Sequence, residues 1–251
     1  MLESSRQRLA WIPRHPASPL KNRSGFGLDA AALTTWIVSS VPISSGLAAS
    51  DKALLLQLDV TKSDEVAAAV EAAEAHFGHI DVLVNNAGLA KGLSKFYDGD
   101  TDHWDQMIDT NIKGLLYVSR TVTPDMIARG SGHIINIGSI AGKEVYDNGN
   151  VYCGTKFAVD AITKSMRLEL AVHGLKVTGI HPGAVETEFS VVRFDGDVDR
   201  ANNVYKGFEN LVAEDIAEAI GFVVTRKPHV NINDLVIMPQ AQAVAGVIIR
   251  K

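Results

Sequence analysis

Tyr152 and Lys156 stand four residues apart in "NVYCGTKFAVDAI" (150–162), a spacing that puts both side chains on one face of a helix. The chemistry open to such a pair is proton transfer. A free phenol, with a pKa of about 10, is too weakly ionised near neutrality to serve as a base. A neighbouring ammonium favours the phenolate and lowers that pKa. Taken alone, the pair reads equally well as a surface tyrosine near a surface lysine, so its meaning depends on partners elsewhere. Apolar runs end at candidate partners: Asp59 closes "ALLLQLDV", Asn85 and Asn86 close "IDVLVNNAG", Ser139 closes "HIINIGS", and Pro182 and Gly183 close "LKVTGIHPG". If these runs are parallel strands, all of those residues line the carboxyl edge of one sheet, where an open α/β fold binds a dinucleotide.

The elements that would place them there are legible from residue 51 onward. Short apolar runs alternate with longer periodic segments, the pattern of β-α units feeding a parallel sheet. Residues 53–60, 80–88, 133–139, 175–183 and 234–239 read as strands. "SDEVAAAVEAAEAHFG" (63–78) reads as a helix opened by Ser63 and Asp64 and stopped by Gly78. Trp104, Ile108, Ile112, Leu115 and Val118 fall on one helical face between Thr101 and Arg129, a face expected to lie on the sheet. The run 193–209 lacks periodicity and reads as a mobile insertion or a loop with a short helix.

Composition narrows the class. At 251 residues and 46% apolar, the chain suits one soluble α/β domain with a core that needs no disulfides. A net charge of −5 speaks against a nucleic-acid partner. One cysteine, Cys153, fits a reducing compartment and reads as a packed helix residue. The absence of a long apolar run or an apolar leader points away from membrane and secretion, hence to the cytoplasm. The eight histidines show no metal-ligand spacing; His181 reads as a packed strand residue and no metal is expected.

Singly, Ser139 is also a turn former, Asn111 in "DTNIKG" a solvated helix residue, and Asp59 a helix-start acid. In combination and order, Asn111, Ser139, Tyr152 and Lys156, with "NNAG" and "PGAVETE", resemble the classical short-chain dehydrogenase/reductase family over residues 51–251. "GNVYCGTK", "EFSVVRFDGD" and "HVNINDLVIMP" are similar to a branch of it that acts on 3-hydroxy acids and serine with NADP. The resemblance implies a Rossmann-like doubly wound parallel sheet in a single domain, and hydride transfer between NADP(H) and a small 3-hydroxy acid or related alcohol. NAD stands as the alternative cofactor. It further implies Tyr152 as general acid/base, Lys156 beside it holding the nicotinamide ribose, and Ser139 donating to the substrate oxygen. Asn111 would hold a water for proton relay. Asp59 and Val60 would meet the adenine, Asn86 and Ala87 the adenosine ribose, and Pro182, Gly183, Val185 and Thr187 the nicotinamide amide. Arg193, in "VVRF", is the candidate for a substrate carboxylate. A homo-oligomer, commonly a tetramer, is implied as well, with the apolar "AVAGVII" near the chain's end a candidate for its interface. Two alternatives stay open: a silent homologue that acts by binding, and a reductase of sugars or ketones.

Residues 1–50 break the pattern. They hold four of the eight prolines, nine serines and two of the three tryptophans, with five basic residues against two acidic ones. The family's Thr-Gly-x-x-x-Gly-x-Gly turn, whose glycines let the backbone approach a pyrophosphate, is not present. "SGFG" (24–27) is a weak substitute, and "TWIVSSV" (35–41) a weak strand. Asp59 keeps the distance from Met1 expected in the family. The segment is therefore read as a replacement in place of the first β-α-β unit, from a shifted reading frame or a wrong start, with recovery near residue 51. A confirmed uninterrupted frame through the first sixty codons would end that reading.

Overall fold

The computed structural model describes residues 7–10, 35–39 and 54–251. Strand β4 (Val82–Asn85) is buried at all four positions, as a strand must be when helices cover both faces of its sheet. It sits at the middle of seven strands: β1 (Gln7–Ala10), β2 (Thr35–Ser39), β3 (Leu56–Leu58), β4, β5 (His133–Ile137), β6 (Lys176–Pro182) and β7 (Asp234–Ile237), in the order β3-β1-β2-β4-β5-β6-β7. From β2 through β7 the neighbours are parallel. β1 runs antiparallel to both β2 and β3. The position beside β4 is thus taken by the strand read weakly at 35–41; "SGFG" lies outside the described residues.

Alternation along the strands sorts side chains between two layers. Leu83, Ile134 and Val177 face α1 (Ser63–Phe77) and the helix that follows β4, in a cluster with Val66, Val70 and Val118. Val82, Val84, Ile135 and Ile180 face the other way, where Ile216, Ile220 and Val223 lie near the chain's end. With period-two alternation, one layer receives every second residue. The result is the expected doubly wound sheet.

One helical expectation is corrected. α2 (Thr101–Ile108) continues through a π turn at Asp109–Gly114 into α3 (Leu115–Arg129). A π turn carries more residues than 3.6 per turn, so the apolar face shifts. Leu115 and Val118 are buried as expected, but Ile108 is 37% exposed, and Met107, Thr110, Asn111 and Gly114 face inward instead. Gly114 is needed there, because a Cβ on it would come within 2.6 Å of the Val60 side chain.

α4 (Asn150–Leu170) leaves the end of β5 through a 3-10 turn at Ile140–Gly142. α5 (Phe189–Arg193) leads into the region read as an insertion or a loop with a short helix (193–209), which carries α6 (Val198–Val204). Its ends are pinned together by hydrogen bonds from Leu211 N to Ala184 O and from Glu186 N to Leu211 O. α7 (Ala213–Val224) and a hairpin of β8 (Gln242–Val244) and β9 (Val247–Ile248) complete the chain. Among the described residues no helix is long and apolar enough to cross a membrane.

Candidate active site

Each strand of the parallel set releases the chain at the same edge, and the sequence candidates gather there. Ser139 follows β5 and opens the 3-10 turn, its hydroxyl accepting from Ala141 N (3.1 Å) and donating to Pro182 O at the end of β6 (3.5 Å). Tyr152 lies in the first turn of α4, buried, within hydrogen-bonding reach of Ser139. Lys156, one turn on and 6% exposed, donates to Ile137 O (3.0 Å) with its ammonium 6.0 Å from the Tyr152 ring centre. The helical spacing therefore does bring phenol, hydroxyl and ammonium together.

Asn111 reaches the site because the π turn aims it there. Its Oδ1 accepts from Leu89 N (2.8 Å), while its Nδ2 donates to Leu89 O (2.8 Å) and Thr155 Oγ1 (3.0 Å). Thr155 in turn donates to Tyr152 O (2.8 Å). Asn111 thus ties the loop after β4 to the turn of α4 that carries the tyrosine and lysine. A Cβ on Gly88 would lie 3.3 Å from Asn111 Oδ1 and 3.5 Å from Lys156 Nζ, so the glycine keeps the space above those polar atoms open.

Electrostatics move both groups away from their ordinary values. Burial raises the Tyr152 pKa above its ordinary value and outweighs the lowering by Ser139 and Arg193. Burial also lowers Lys156, to about 8. The neighbouring Tyr146 adds to the rise of the phenol, while the Lys156 ammonium is turned to the Ile137 carbonyl. The resting form is a neutral phenol.

Arg193, at the end of α5, also reaches the site. Its Nε donates to Gly92 O (3.1 Å) and its Nη1 to Tyr146 Oη (2.9 Å); the guanidinium lies 5.6 Å from the Tyr152 ring centre. Gly92 N returns a bond to Arg193 O (3.0 Å), and Lys91 pairs with Asp195 (2.5 Å). The α5 segment is therefore clasped down. Between Tyr152, Arg193, His103, Trp104, Asn148 and Lys91 remains a cavity of ≈ 20 Å³, about one water's worth.

The remaining sequence candidates line the same edge with unequal access. Asn86 and Ala87 are half-buried after β4, and Gly183 and Val185 are half-buried after β6. Pro182 is buried at the end of β6, and Thr187 is exposed. Val60 is wholly buried against Gly114, which leaves only its main chain for a ligand. The Asp59 carboxylate accepts from Thr61 N (3.0 Å) and Oγ1 (2.8 Å). Sequence reasoning missed Tyr146 and Thr155. Thr155, three residues after Tyr152, was open to discovery as a hydroxyl that bonds back along its helix; Tyr146 carries no such signal. Asp160, His181 and Asp234 cluster closely enough to suggest a metal site, but the Lys143 ammonium already sits 2.6 Å from Asp160 and 3.5 Å from Asp234.

Known proteins resemble this chain over most of its length. The family model described as short chain dehydrogenase matches residues 41–197. The NADP-dependent 3-hydroxy acid dehydrogenase of Schizosaccharomyces pombe is 44% identical over 198 residues, covering 79% of this chain and 76% of that protein. The NADP-dependent 3-hydroxy acid dehydrogenase YdfG of Salmonella typhi is 44% identical over 202 residues, covering 80% and 82%. Among solved structures, the closed form of serine dehydrogenase complexed with NADP+ aligns with a TM-score of 0.74 at 44% identity, covering 78% of this chain and 79% of that one. ElxO with NADP bound aligns at 0.65 and 27% identity, covering 73% and 75%.

Proposed function

The chain belongs to the short-chain dehydrogenase family, and as a member of it we propose that it moves a hydride between NADP(H) and a small 3-hydroxy acid, with Tyr152 carrying the proton. The observation that supports this most is the convergence of Ser139, Tyr152, Lys156 and Asn111 at the carboxyl edge. The ends of β3, β4 and β6 also offer candidate contacts for a dinucleotide.

The described residues at that edge fit the adenosine and nicotinamide ends of such a cofactor; a pyrophosphate turn in the segment preceding β2 would fall outside the described residues. Asp59, the Val60 main chain, Asn86 and Ala87 would hold the adenosine half. Lys156 would hold the nicotinamide ribose, and Pro182, Gly183, Val185 and Thr187 the nicotinamide amide. The cofactor, when bound, supplies or accepts the hydride. Tyr152 supplies the proton to a substrate carbonyl oxygen in reduction and removes it from the hydroxyl in oxidation. Ser139 donates to the same oxygen, holding it at the phenol and stabilising negative charge as it develops. Because burial keeps the phenol protonated, the bare chain is set for reduction.

Lys156, lowered to about 8, supplies the positive charge beside the phenol only while protonated. In the reducing direction kcat/KM is therefore expected to be level below about pH 8 and to fall by about tenfold per unit above it. A level profile to about pH 10 would contradict the role of the ammonium.

Arg193 would receive the substrate carboxylate on Nη2, the nitrogen left after Gly92 and Tyr146 are served. Arg193→Ala should raise KM for a 3-hydroxy acid by about tenfold to a hundredfold, since a hydrogen bond to a charged group contributes about 1.5–3 kcal/mol. Arg193→Lys should recover only part, lacking the planar fork. Indifference to Arg193→Ala, together with poor use of 3-hydroxy acids, would instead favour neutral sugars or ketones. The protein acts in the cytoplasm as a homotetramer; Leu168 and Val172, 80% and 82% exposed, are apolar surface that a partner subunit would cover.

The experiment that tests the reading is steady-state oxidation of NADPH by the corresponding 3-oxo acid. Turnover that depends on Ser139 and Lys156 is expected; turnover indifferent to both would overturn the assignment.

A further inference from the structure

Below the site lies a set of charged side chains to which the proposed chemistry assigns no part. Lys143 directly follows the 3-10 turn begun by Ser139, and its ammonium bonds to Asp160 Oδ1 (2.6 Å) on α4, one turn beyond Lys156. The same ammonium lies 3.5 Å from Asp234 Oδ1 on β7. Asp234 Oδ1 meets His181 Nε2 (3.1 Å), the residue before Pro182 on β6. The second oxygen of Asp160 is held by Lys164 (2.7 Å), and Arg167 stands 3.9 Å from Asp234. Two carboxylates thus join the turn of Ser139, the helix of Tyr152 and Lys156, and strands β6 and β7.

The packing around this cluster leaves little slack. His181 is fully buried, and a Cβ on Gly138, the residue before Ser139, would lie 2.4 Å from its Nδ1. A Cβ on Gly142 would lie 2.5 Å from the Lys156 carbonyl oxygen, so the turn and α4 touch through backbone. The backbone at Gly138, just before Ser139, is therefore seated on the imidazole, and the turn after Ser139 is tied to α4 by the Lys143 ion pair. Its Oγ must reach both the Tyr152 phenol and a substrate oxygen, and misplacement by about 1 Å costs on the order of a hundredfold in rate. Asp160 is 7% exposed, so its pair with Lys143 is shielded from the screening that weakens surface bridges.

Resting on the function proposed above, we infer that Lys143 and Asp160 are positioning residues, an ionic brace that fixes Ser139 against Tyr152 and acts on the reaction only through Ser139. The brace touches neither substrate nor cofactor.

A double-mutant cycle on the full chain tests it. Lys143→Gln should lower kcat by roughly tenfold to a hundredfold and leave the NADPH dissociation constant unchanged. Lys143→Arg should restore most of the rate, and Asp160→Asn should resemble Lys143→Gln. In a Ser139→Ala background, Lys143→Gln should change kcat by less than about twofold, because the hydroxyl it positions is gone. An equal loss in both backgrounds, or no loss when Ser139 is present, would overturn the brace and leave the proposed function standing. A Ser139→Ala enzyme of full activity would overturn both. If Lys143→Gln fails to fold, Lys143→Arg and Asp160→Asn in the two backgrounds decide the matter by the same comparison.

Discussion

Tyr152→Phe is expected to lower kcat/KM in both directions by about a hundredfold to ten-thousandfold, the usual contribution of a positioned general acid or base. The substitution removes one oxygen and leaves the ring. That ring is buried, packs against Phe189 at 5.7 Å between centres, and lies beside the Arg193 guanidinium, so the fold should be preserved. The lost hydroxyl frees Ser139 from one partner, yet Ser139 keeps Ala141 N and Pro182 O. Thermal stability should accordingly change little, and NADPH affinity should change by less than about threefold, well under the roughly 1.4 kcal/mol of a tenfold change. Kinetics at saturating cofactor, paired with a cofactor titration, separate the two effects. If Tyr152→Phe keeps its rate, the proton has another carrier.

Lys156→Met has the second large expected effect, and it runs in opposite directions for activity and stability. Activity should fall by about a hundredfold or more, since the charge beside the phenol is lost. Stability should rise. Lys156 in the folded chain is lowered to about 8 from an ordinary value of 10.5. The unfolded chain therefore binds the proton more tightly, and near neutrality the difference costs the fold about 3 kcal/mol. Losing the donor to Ile137 O returns part of that, of the order of 1 kcal/mol. A net gain of about 2 kcal/mol near pH 7 corresponds to a rise in Tm of several degrees, at about 2–4 °C per kcal/mol for a chain of this size.

The sign can be checked against pH. Between about 8 and about 10.5 the unfolded state holds the proton that the folded state has released, so wild-type stability rises with pH across that window. The methionine variant lacks this rise, and its advantage should disappear by the top of the window. Denaturant unfolding of both proteins at about pH 7 and about pH 10.5 measures it; an advantage that stays constant, or a variant less stable at pH 7, would contradict the buried ammonium.

Much of this site was legible before any coordinates. Strand ends at Asn85, Ser139 and Pro182 and the four-residue spacing of Tyr152 and Lys156 are local signals, and parallel strands carry them to one edge. The phase of the α2 to α3 helix was not legible, because the π turn at Asp109–Gly114 breaks the periodicity from which a helical face is read. The same turn aims Asn111 at Leu89 and Thr155, so the irregularity that defeats the pattern helps to build the site. Nor could spacing reveal the effect of burial on Tyr152 and Lys156. Proximity of an ammonium argued for a lowered phenol, whereas desolvation, which depends on all the surrounding packing, moves it the other way. Arg193 lies beside Tyr152, but its bonds to Gly92 and Tyr146 join residues 101 and 47 positions away, a relation no local pattern encodes.

The most direct measurement of the central claim is titration of the purified protein with NADPH, followed by turnover of a small 3-oxo acid at saturating cofactor, for wild type and Tyr152→Phe side by side. Saturable binding to both proteins, with hydride transfer sustained only by the wild type, is the predicted result. No saturable binding to either, or equal turnover by both, would contradict it.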